Sequence, residues 1–444
     1  MRGLRTFILL SVVLIGLGSY AYFVESKRDP SDADKKDKAF TVQADKIDEI
    51  TVKSESGEQT TLKKTGNDWQ IAQPVAAQPD SAEVSGLTSN LSSLEVGRVI
   101  DENPGDLGEY GLAQPRIEVA FKAGGEEHRL LIGRKTPPGT DLYAKLANQK
   151  RVFLIPSYIE GTFNKKTFDL RDKTVLKLDR DKIDRLTVTT PARTLEFSKE
   201  NGEWHMTAPV KTRADFTTVD GLVSRLHTLQ MKSLVAAEAG NLSEYGLDKP
   251  RATIRLGSGS SQATLIVGKS SGEGADYAKD QSRPAIFGIE ASVAEDASKD
   301  PSEFRQKDLF DARAFNATRI DIARGSETVA FEKVKAKNKD GQDEEKWKQV
   351  APAAKDADQT KVENLIAAVT GARATGFVDS TAKTGLDKPE LSITIKFDQG
   401  KREEKATFAR TGADGFATRA GEPGAAKVDI AAIENIAKSL EALK

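Results

Sequence analysis

WQIAQPVAAQPD at residues 69–80, WHMTAPVKTRAD at 204–215 and WKQVAPAAKDAD at 347–358 are three versions of one pattern. In each version a tryptophan lies five residues before a proline, and an aspartate lies six residues after that proline. The chain has three tryptophans, and all of them occupy this position. The pattern predicts that the chain is built from three copies of one structural unit.

A helix is predicted directly after each aspartate. Apolar residues follow the aspartate at offsets of four, seven and eleven, which is the stripe of an amphipathic helix. The aspartate is a suitable N-cap because its carboxylate accepts hydrogen bonds from the first-turn amides. Asp80 and Glu83 also have the spacing of a capping box. The predicted N-caps are Asp80, Asp215 and Asp358, and the stripes are Val84, Leu87 and Leu91; Val219, Leu222 and Leu226; and Val362, Leu365 and Val369.

A second motif, Gly-Leu-x-x-Pro, follows each predicted helix. It begins 31 residues after the aspartate in the first two copies and 27 residues after it in the third. Alternating apolar and polar residues then predict a strand with one buried face, and a turn and further strands follow. The motifs start at Gly111, Gly246 and Gly385, and the strands span residues 117–121, 252–256 and 391–397.

These patterns predict an α+β fold of three tandem repeated domains, each an antiparallel sheet with a helix packed on one face. The predicted boundaries give repeat one at residues 40–171, repeat two at 172–308 and repeat three at 309–444. Units of this size are domains rather than the shorter repeats of a solenoid. Repeat three is predicted to be a diverged or capping copy, because its helix-to-glycine connection is short and it carries a charged insertion at 333–346.

The N-terminus predicts a membrane segment. Residues 7–24 carry no charged side chain and as a helix would span about 27 Å, close to the hydrocarbon thickness of a bilayer. Arg2 and Arg5 precede this segment, so the positive-inside rule places residues 1–6 in the cytoplasm and the bulk of the chain outside. A signal peptide cleaved near Ala21 is the alternative. Residues 25–39 are charged and apolar-poor, which is typical of a flexible stalk.

Composition excludes several classes of protein and site. The 66 Lys and Arg residues nearly balance the 67 Asp and Glu residues, whereas nucleic-acid binding usually needs a basic excess. This charge balance therefore predicts no nucleic-acid partner. The absence of cysteine excludes disulfides, thiolate nucleophiles and cysteine-based metal sites.

Catalytic and cofactor motifs lack support. Gly268-Lys269-Ser270 resembles the end of a P-loop, but Ala263 replaces the required upstream glycine, and the segment is predicted to be a hairpin turn after a strand. The three histidines, His128, His205 and His227, lack the spacing of a helical zinc pair. No Gly-x-Ser-x-Gly elbow is present. The sequence thus predicts no enzyme, no bound cofactor or nucleotide and no metal.

The aromatic residues of the repeats allow two interpretations. Trp69, Trp204 and Trp347 are predicted to pack in the three cores, and exposed platforms for a ligand are the alternative. Tyr110 and Tyr245 precede the motif glycines in loops, where an aromatic side chain covers a core edge or contacts a partner or ligand.

The combination of an N-terminal anchor, Trp-x4-Pro-x5-Asp, Tyr-Gly-Leu-x-x-Pro and Tyr-Ala-Lys resembles a bacterial domain family of unknown function. Its members are membrane-tethered and often encoded near ABC-2-type permeases and gliding-motility auxiliary proteins. The resemblance covers residues 40–444, and repeat three departs from it because Thr384 replaces the tyrosine. It implies a location in the bacterial cell envelope, with the chain anchored in the inner membrane and its bulk in the periplasm.

Two functions fit these expectations. The first is a non-catalytic scaffold or accessory protein that partners an ABC-type transporter permease or other envelope or motility machinery. The second is a module that binds envelope polysaccharide or peptide on aromatic platforms. The family has no established active site, so it transfers no functional residue.

Overall fold

The computed structural model describes residues 37–238, 240–337 and 343–443. The predicted cytoplasmic segment 1–6, the transmembrane segment 7–24 and residues 25–36 of the stalk lie outside the described residues. Among those described, no helix is both long enough and apolar enough to cross a bilayer. The chain divides into two compact units between Lys173 and Thr174.

The first unit contains one antiparallel sheet of eight strands in the order β3-β2-β1-β5-β6-β7-β8-β4. The central contact joins β1 to β5, so the meander before the helix and the meander after it share one sheet. The strands are β1 (Ile47–Lys53), β2 (Gln59–Thr65), β3 (Asp68–Gln73), β4 (Val99–Asp101), β5 (Ile117–Ala123), β6 (Glu126–Lys135), β7 (Asp141–Leu146) and β8 (Val152–Pro156).

The second unit contains two sheets of nine strands each, in the described residues, with equivalent strand orders. The first is β12-β11-β10-β9-β14-β15-β16-β17-β13, and the second is β21-β20-β19-β18-β23-β24-β25-β26-β22. The strands are β9 (Arg185–Thr190), β10 (Arg193–Glu200), β11 (Glu203–Ala208), β12 (Thr212–Arg213), β13 (Ser233–Ala236), β14 (Ala252–Ser258), β15 (Ser261–Gly272), β16 (Ala275–Asp280), β17 (Ile286–Glu290), β18 (Ala317–Arg324), β19 (Glu327–Lys337), β20 (Asp343–Ala351), β21 (Lys355–Asp356), β22 (Ala374–Val378), β23 (Leu391–Phe397), β24 (Arg402–Thr411), β25 (Asp414–Arg419) and β26 (Ala425–Val428).

One long helix follows the aspartate of each repeat, as predicted, and shorter helices follow the last strand of repeats one and two. The helices are α1 (Ser81–Ser93), α2 (Ile159–Phe163), α3 (Thr167–Leu170), α4 (Phe216–Thr228), α5 (Ser292–Ala297), α6 (Gln359–Thr370) and α7 (Ile430–Glu441). Single 3-10 turns lie at Ala44–Lys46, Gly108–Tyr110, Arg180–Lys182, Leu242–Tyr245 and Pro301–Phe304. The prediction of repeated units made of antiparallel sheets with few helices is therefore confirmed.

The predicted stripes meet in the cores. In repeat one, Val84, Leu87 and Leu91 of α1 belong to the same buried cluster as Val119 and Phe121 of β5. Alternate residues of β5 point to this cluster because side chains of a strand alternate between its two faces. Each fully buried aliphatic side chain stabilises the fold by ~1.5–3 kcal/mol, so the helix and the sheet hold each other in place.

The prolines of the opening pattern share one geometry. The peptide bonds Gln73-Pro74, Ala208-Pro209 and Ala351-Pro352 are all cis. The charged insertion predicted at 333–346 lengthens a β-hairpin of repeat three, since β19 pairs with β20 out to Lys337 and Asp343.

Candidate functional site

The tryptophans lie mostly inside the modules. Trp204 and Trp347 are each 2% exposed, and Trp69 is half-buried against the core of repeat one. Lysine ammonium groups lie near two of the rings, with Lys199 Nζ 5.5 Å from the centroid of Trp204 and Lys333 Nζ 5.2 Å from that of Trp347. Burial leaves no free face on Trp204 or Trp347 for an external ligand to stack on.

The three aspartates cap their helices. Oδ1 of Asp80 accepts a hydrogen bond from the amide of Ala82 at 2.8 Å, that of Asp215 from Thr218 at 2.8 Å, and that of Asp358 from Lys361 at 3.1 Å. These bonds satisfy amides that have no partner within the helix.

The capping box expected at Asp80 and Glu83 does not form. The amide of Asp80 donates to the carbonyl of Leu170 at 2.8 Å, and the carboxylate of Glu83 pairs with Lys165 at 2.9 Å. The expectation was wrong because a distant segment of the chain supplies the acceptor that Glu83 would have supplied.

Tyr110 and Tyr245 each pack against the tyrosine of the later Tyr-Ala-Lys motif. The ring centroids of Tyr110 and Tyr143 are 5.2 Å apart, and those of Tyr245 and Tyr277 are 5.1 Å apart, both edge-to-face. All four rings are half-buried. In repeat three, Thr384 replaces the first tyrosine and donates its hydroxyl to the carbonyl of Thr381 at 2.6 Å. The tyrosine contacts are thus internal to repeats one and two, and one part of each ring reaches solvent.

The Gly-Lys-Ser segment lies inside a strand. Gly268, Lys269 and Ser270 belong to β15, which runs on to Gly272 across a register shift against β16. The predicted hairpin turn is therefore wrong at this point. A Cβ atom on Gly268 would lie 2.1 Å from the carbonyl oxygen of Tyr245, so this glycine is required for close packing of the tyrosine loop.

The histidines occupy three unrelated environments. The ring of His128 stacks on Phe121 with centroids 5.0 Å apart, His205 lies on β11, and Nδ1 of His227 is buried without a hydrogen-bond partner. Within the part of the chain that the structure describes, no three His, Cys, Asp or Glu side chains converge as ligands for a metal ion.

A charged junction joins repeats two and three. Arg213, at the end of β12, donates from Nε to Glu422 at 2.7 Å and from Nη1 to Asp311 at 2.6 Å. Arg419 donates from Nη2 to Glu404 at 2.7 Å, and Glu404 in turn accepts from the amide of Asp311 at 2.8 Å. We call Arg213, Asp311, Glu404, Arg419 and Glu422 the junction network. Its charges are largely removed from water, where paired and hydrogen-bonded geometry is needed to offset desolvation.

Burial would raise the pKa of the Asp311 carboxyl, but Arg213 and the other junction donors outweigh it, and the pKa lies below its usual value. Beside this network the guanidinium of Arg305 lies 3.8 Å from the ring centroid of Phe377 in repeat three. Arg305 is buried, and a cation held over an aromatic face gains electrostatic attraction. Charged contacts and ring stacking together fix repeat two against repeat three.

A cleft of about 730 Å³ opens next to the junction network. Its walls come from β10, β11 and the β25–β26 turn, and its polar lining includes His205, Thr207, Lys211 and Glu200. Arg213 and Arg419 also line it, but their guanidinium groups are engaged by carboxylates of the junction network.

The two most exposed aromatic residues of the described chain were missed by the sequence patterns. Phe315 is 82% exposed before β18, and Tyr158 is 73% exposed before α2. Neither residue has an aromatic counterpart at these equivalent positions. When the repeats are aligned by their strand pairings, Phe315 corresponds to Asp181 of repeat two, and Tyr158 corresponds to Ala431 of repeat three. Exposed aromatic side chains are enriched at protein interfaces. Only a search for unrepeated aromatic residues in loops would have found them.

The fold and these contacts define a class of protein made of repeated antiparallel-sheet modules with capped helices. The family described as "Domain of unknown function (DUF4340)" matches residues 69–203 and 204–389. These segments cover more than half of the chain, which therefore belongs to this family. The two matched segments begin at Trp69 and Trp204, the residues that open the repeated pattern.

Other comparisons add little. No curated protein matches the chain. Among solved structures, a DNA polymerase sliding clamp from Pseudomonas aeruginosa with ligand is 9% identical, over 88% of this chain and 93% of that chain, with a TM-score of 0.15. The DNA polymerase III subunit beta from Pseudomonas aeruginosa is 9% identical, over 86% and 91%, with a TM-score of 0.16. At these TM-scores the likeness carries no argument.

Proposed function

We propose that this chain is a non-catalytic scaffold or accessory protein of the bacterial envelope. Residues 7–24 anchor it in the inner membrane, its modules lie in the periplasm, and it contacts an ABC-type transporter permease or related envelope machinery. The observation that carries this proposal is a difference in exposure between the recurring residues and the unrepeated aromatic residues. The recurring motif residues pack within their own modules, whereas the large exposed aromatic side chains are unrepeated.

The junction network supports the proposal because a scaffold needs modules held in fixed geometry. Arg213 of repeat two forms hydrogen-bonded ion pairs with Asp311 and Glu422 of repeat three, and the Arg305 guanidinium adds a stacked contact with Phe377. Surfaces on such a paired module stay at a constant spacing. A partner that engages two of them gains avidity over one that engages either alone.

The test is chemical crosslinking of the full chain in bacterial membranes, followed by affinity purification in detergent and identification of the attached proteins. We expect an integral-membrane permease to be recovered with the full chain. A matched chain that lacks residues 1–24 and carries a cleavable secretion signal should be released from the membrane fraction.

Binding of envelope polysaccharide is the competing function, and the same preparation tests it by titration calorimetry with purified envelope glycans. Saturable glycan binding, together with no membrane protein after crosslinking, would overturn the scaffold proposal.

A further inference from the structure

In repeats one and two, a segment of the chain that follows the last strand runs back and pairs with the residues just before the long helix. We call it the returning segment. In repeat one, Pro79 pairs with Arg171, and in repeat two, Ala214 pairs with Arg305, both antiparallel. Two backbone hydrogen bonds close each pair. Asp80 donates to Leu170 at 2.8 Å and Asp172 to Gln78 at 2.9 Å, while Asp215 donates to Phe304 at 2.8 Å and Gln306 to Arg213 at 3.1 Å.

Each returning segment inserts one large apolar side chain. Leu170 is fully buried and Phe304 is 1% exposed. The ring centroid of Phe304 lies 5.4 Å from that of Phe197 on β10. A polar contact with the neighbouring hairpin holds the start of the segment in repeat two. There, Nη1 of Arg193 lies 3.3 Å from Oδ2 of Asp300. Backbone pairing and one apolar anchor therefore occur together in both repeats.

The equivalent edge of repeat three is open. The pairing of Lys348 with Asp356 corresponds to that of His205 with Arg213, so Asp358 is the counterpart of Asp215. In the described part of the chain, the amide of Asp358 has no backbone acceptor, although its counterparts in repeats one and two both have one. In repeats one and two the returning segment binds the outer edge of the corresponding strand, and in repeat three this edge of β21 is open. An open strand edge is a template for pairing with another segment.

A pocket of about 530 Å³ lies beside this edge. Its lining includes Val329, Gln349, Pro352, Lys355, Leu440 and Leu443. Val329 and Gln349 are the counterparts of Leu195 and Met206 in repeat two, as the strand pairings show. The volume is within the range of ligand pockets, and its walls combine apolar side chains with the backbone of an open edge.

The pocket exists because the last helix of repeat three is long. α7 has 12 residues, whereas α2 has 5 and α5 has 6. By the register of the strand pairings, Leu443 is the counterpart of Leu170 and Phe304. It remains at the helix end, where its amide donates to Leu440 at 3.2 Å. It therefore forms a wall of the pocket and does not pair with β21.

We propose that this edge and pocket bind an extended segment of a partner protein. The segment pairs antiparallel with β21, its carbonyl accepts from the Asp358 amide, and a Leu or Phe side chain enters the pocket. The internal segments Leu170-Arg171-Asp172-Lys173 and Phe304-Arg305-Gln306-Lys307 define the matching chemistry, an apolar residue followed by Arg, a polar residue and Lys. Addition of a strand to a sheet edge is an established mode of peptide recognition. A second copy of this chain is disfavoured as the donor because its Leu170 and Phe304 are already buried.

This inference rests on the proposed scaffold function only in assigning the segment to a partner, and a peptide probe tests it without that partner. The probe is a fluorescent peptide with the sequence of residues 300–307, DPSEFRQK. We expect saturable binding to the full chain by fluorescence anisotropy. The same peptide with Asp in place of Phe304 should not bind.

Val329→Trp fills the pocket of repeat three and should weaken peptide binding by roughly tenfold or more. Glu363→Trp, on the exposed face of α6, is the matched control and should leave binding unchanged. Hydrogen exchange on the unaltered chain gives a readout that needs no variant, since the peptide should slow exchange of the Asp358 amide. Absence of saturable binding, or binding that leaves the Asp358 amide unprotected and is insensitive to Val329→Trp, would overturn the inference. Neither result would bear on recovery of a permease by crosslinking.

Discussion

Gly133 and Gly268 show how close packing dictates a residue. A Cβ atom on either would lie 2.1 Å from a tyrosine carbonyl oxygen, that of Tyr110 or Tyr245. The tyrosine loop turns back at Gly111 or Gly246, each with φ of 67°, a conformation that glycine adopts without steric cost. Repeat three has Ala409 at the strand position and has lost the tyrosine, so the loop and the strand changed together.

Gly133→Ala should lower the free energy of unfolding by roughly 3 kcal/mol, because backbone must move to admit the methyl group. Gly221→Ala is the control. Gly221 lies in α4, and no atom lies within 4 Å of the place that an added methyl group would take, so alanine there should stabilise the helix by about 0.5–1 kcal/mol. Calorimetric melting of both variants checks this. Equal effects of the two substitutions would contradict the packing explanation.

Residue identity was predictable from the sequence where one local rule decides it. Asp80, Asp215 and Asp358 were found as N-caps because capping depends on neighbouring amides alone. The partner of the Asp80 amide was not, because Leu170 lies 90 residues away and no local pattern records that pairing. Phe315 and Tyr158 were missed for another reason: exposure of a single side chain leaves no periodic signal.

The returning segments distinguish repeats one and two from repeat three, in which the corresponding residues form a helix. Sequence periodicity predicted the long helix after each aspartate and the strand after each Gly-Leu-x-x-Pro motif, since both show a local period of apolar residues. It did not predict that equivalent segments after the last strand would take different structures. Ile430–Glu441 continues as one helix, whereas the counterparts in repeats one and two break and return along a sheet edge.

Phe304→Ala should destabilise the second unit by about 3–5 kcal/mol, the usual cost of removing a buried aromatic ring. Leu443→Ala, at the equivalent position of repeat three, should cost less because Leu443 is only partly buried. Thermal unfolding of the two variants, measured by calorimetry under identical conditions, gives the comparison. A larger loss for Leu443→Ala than for Phe304→Ala would show that the two residues do not differ in packing as described.

For the whole molecule, the junction network links stability to pH. The pKa of Asp311 is lower in the folded protein than its usual value near 3.8. A carboxyl with a depressed pKa contributes stability that is fully present above the unfolded pKa and is lost as pH falls through the folded pKa. The second unit should therefore lose stability as the pH falls from about 4 downward.

Asp311→Asn should remove part of this pH dependence, since asparagine does not titrate. The expected result is a smaller drop in melting temperature between neutral and acidic pH than in the unaltered chain. Asp181→Asn, at an exposed site in repeat two, should leave the dependence unchanged. If Asp311→Asn showed the same drop in melting temperature between neutral and acidic pH as the unaltered chain, Asp311 would not be the source of the pH dependence.

We propose that the recurring residues build the modules and that the unrepeated exposed aromatic residues contact the partner. Site-specific photocrosslinking in membranes tests this contact, with a photoreactive phenylalanine analogue placed at position 315 or 158. Positions 181 and 431, the equivalents in other repeats, serve as controls. We expect crosslinks to one integral-membrane protein from positions 315 and 158 and none from the controls. Crosslinks of equal yield from all four positions, or none from 315 and 158, would contradict it.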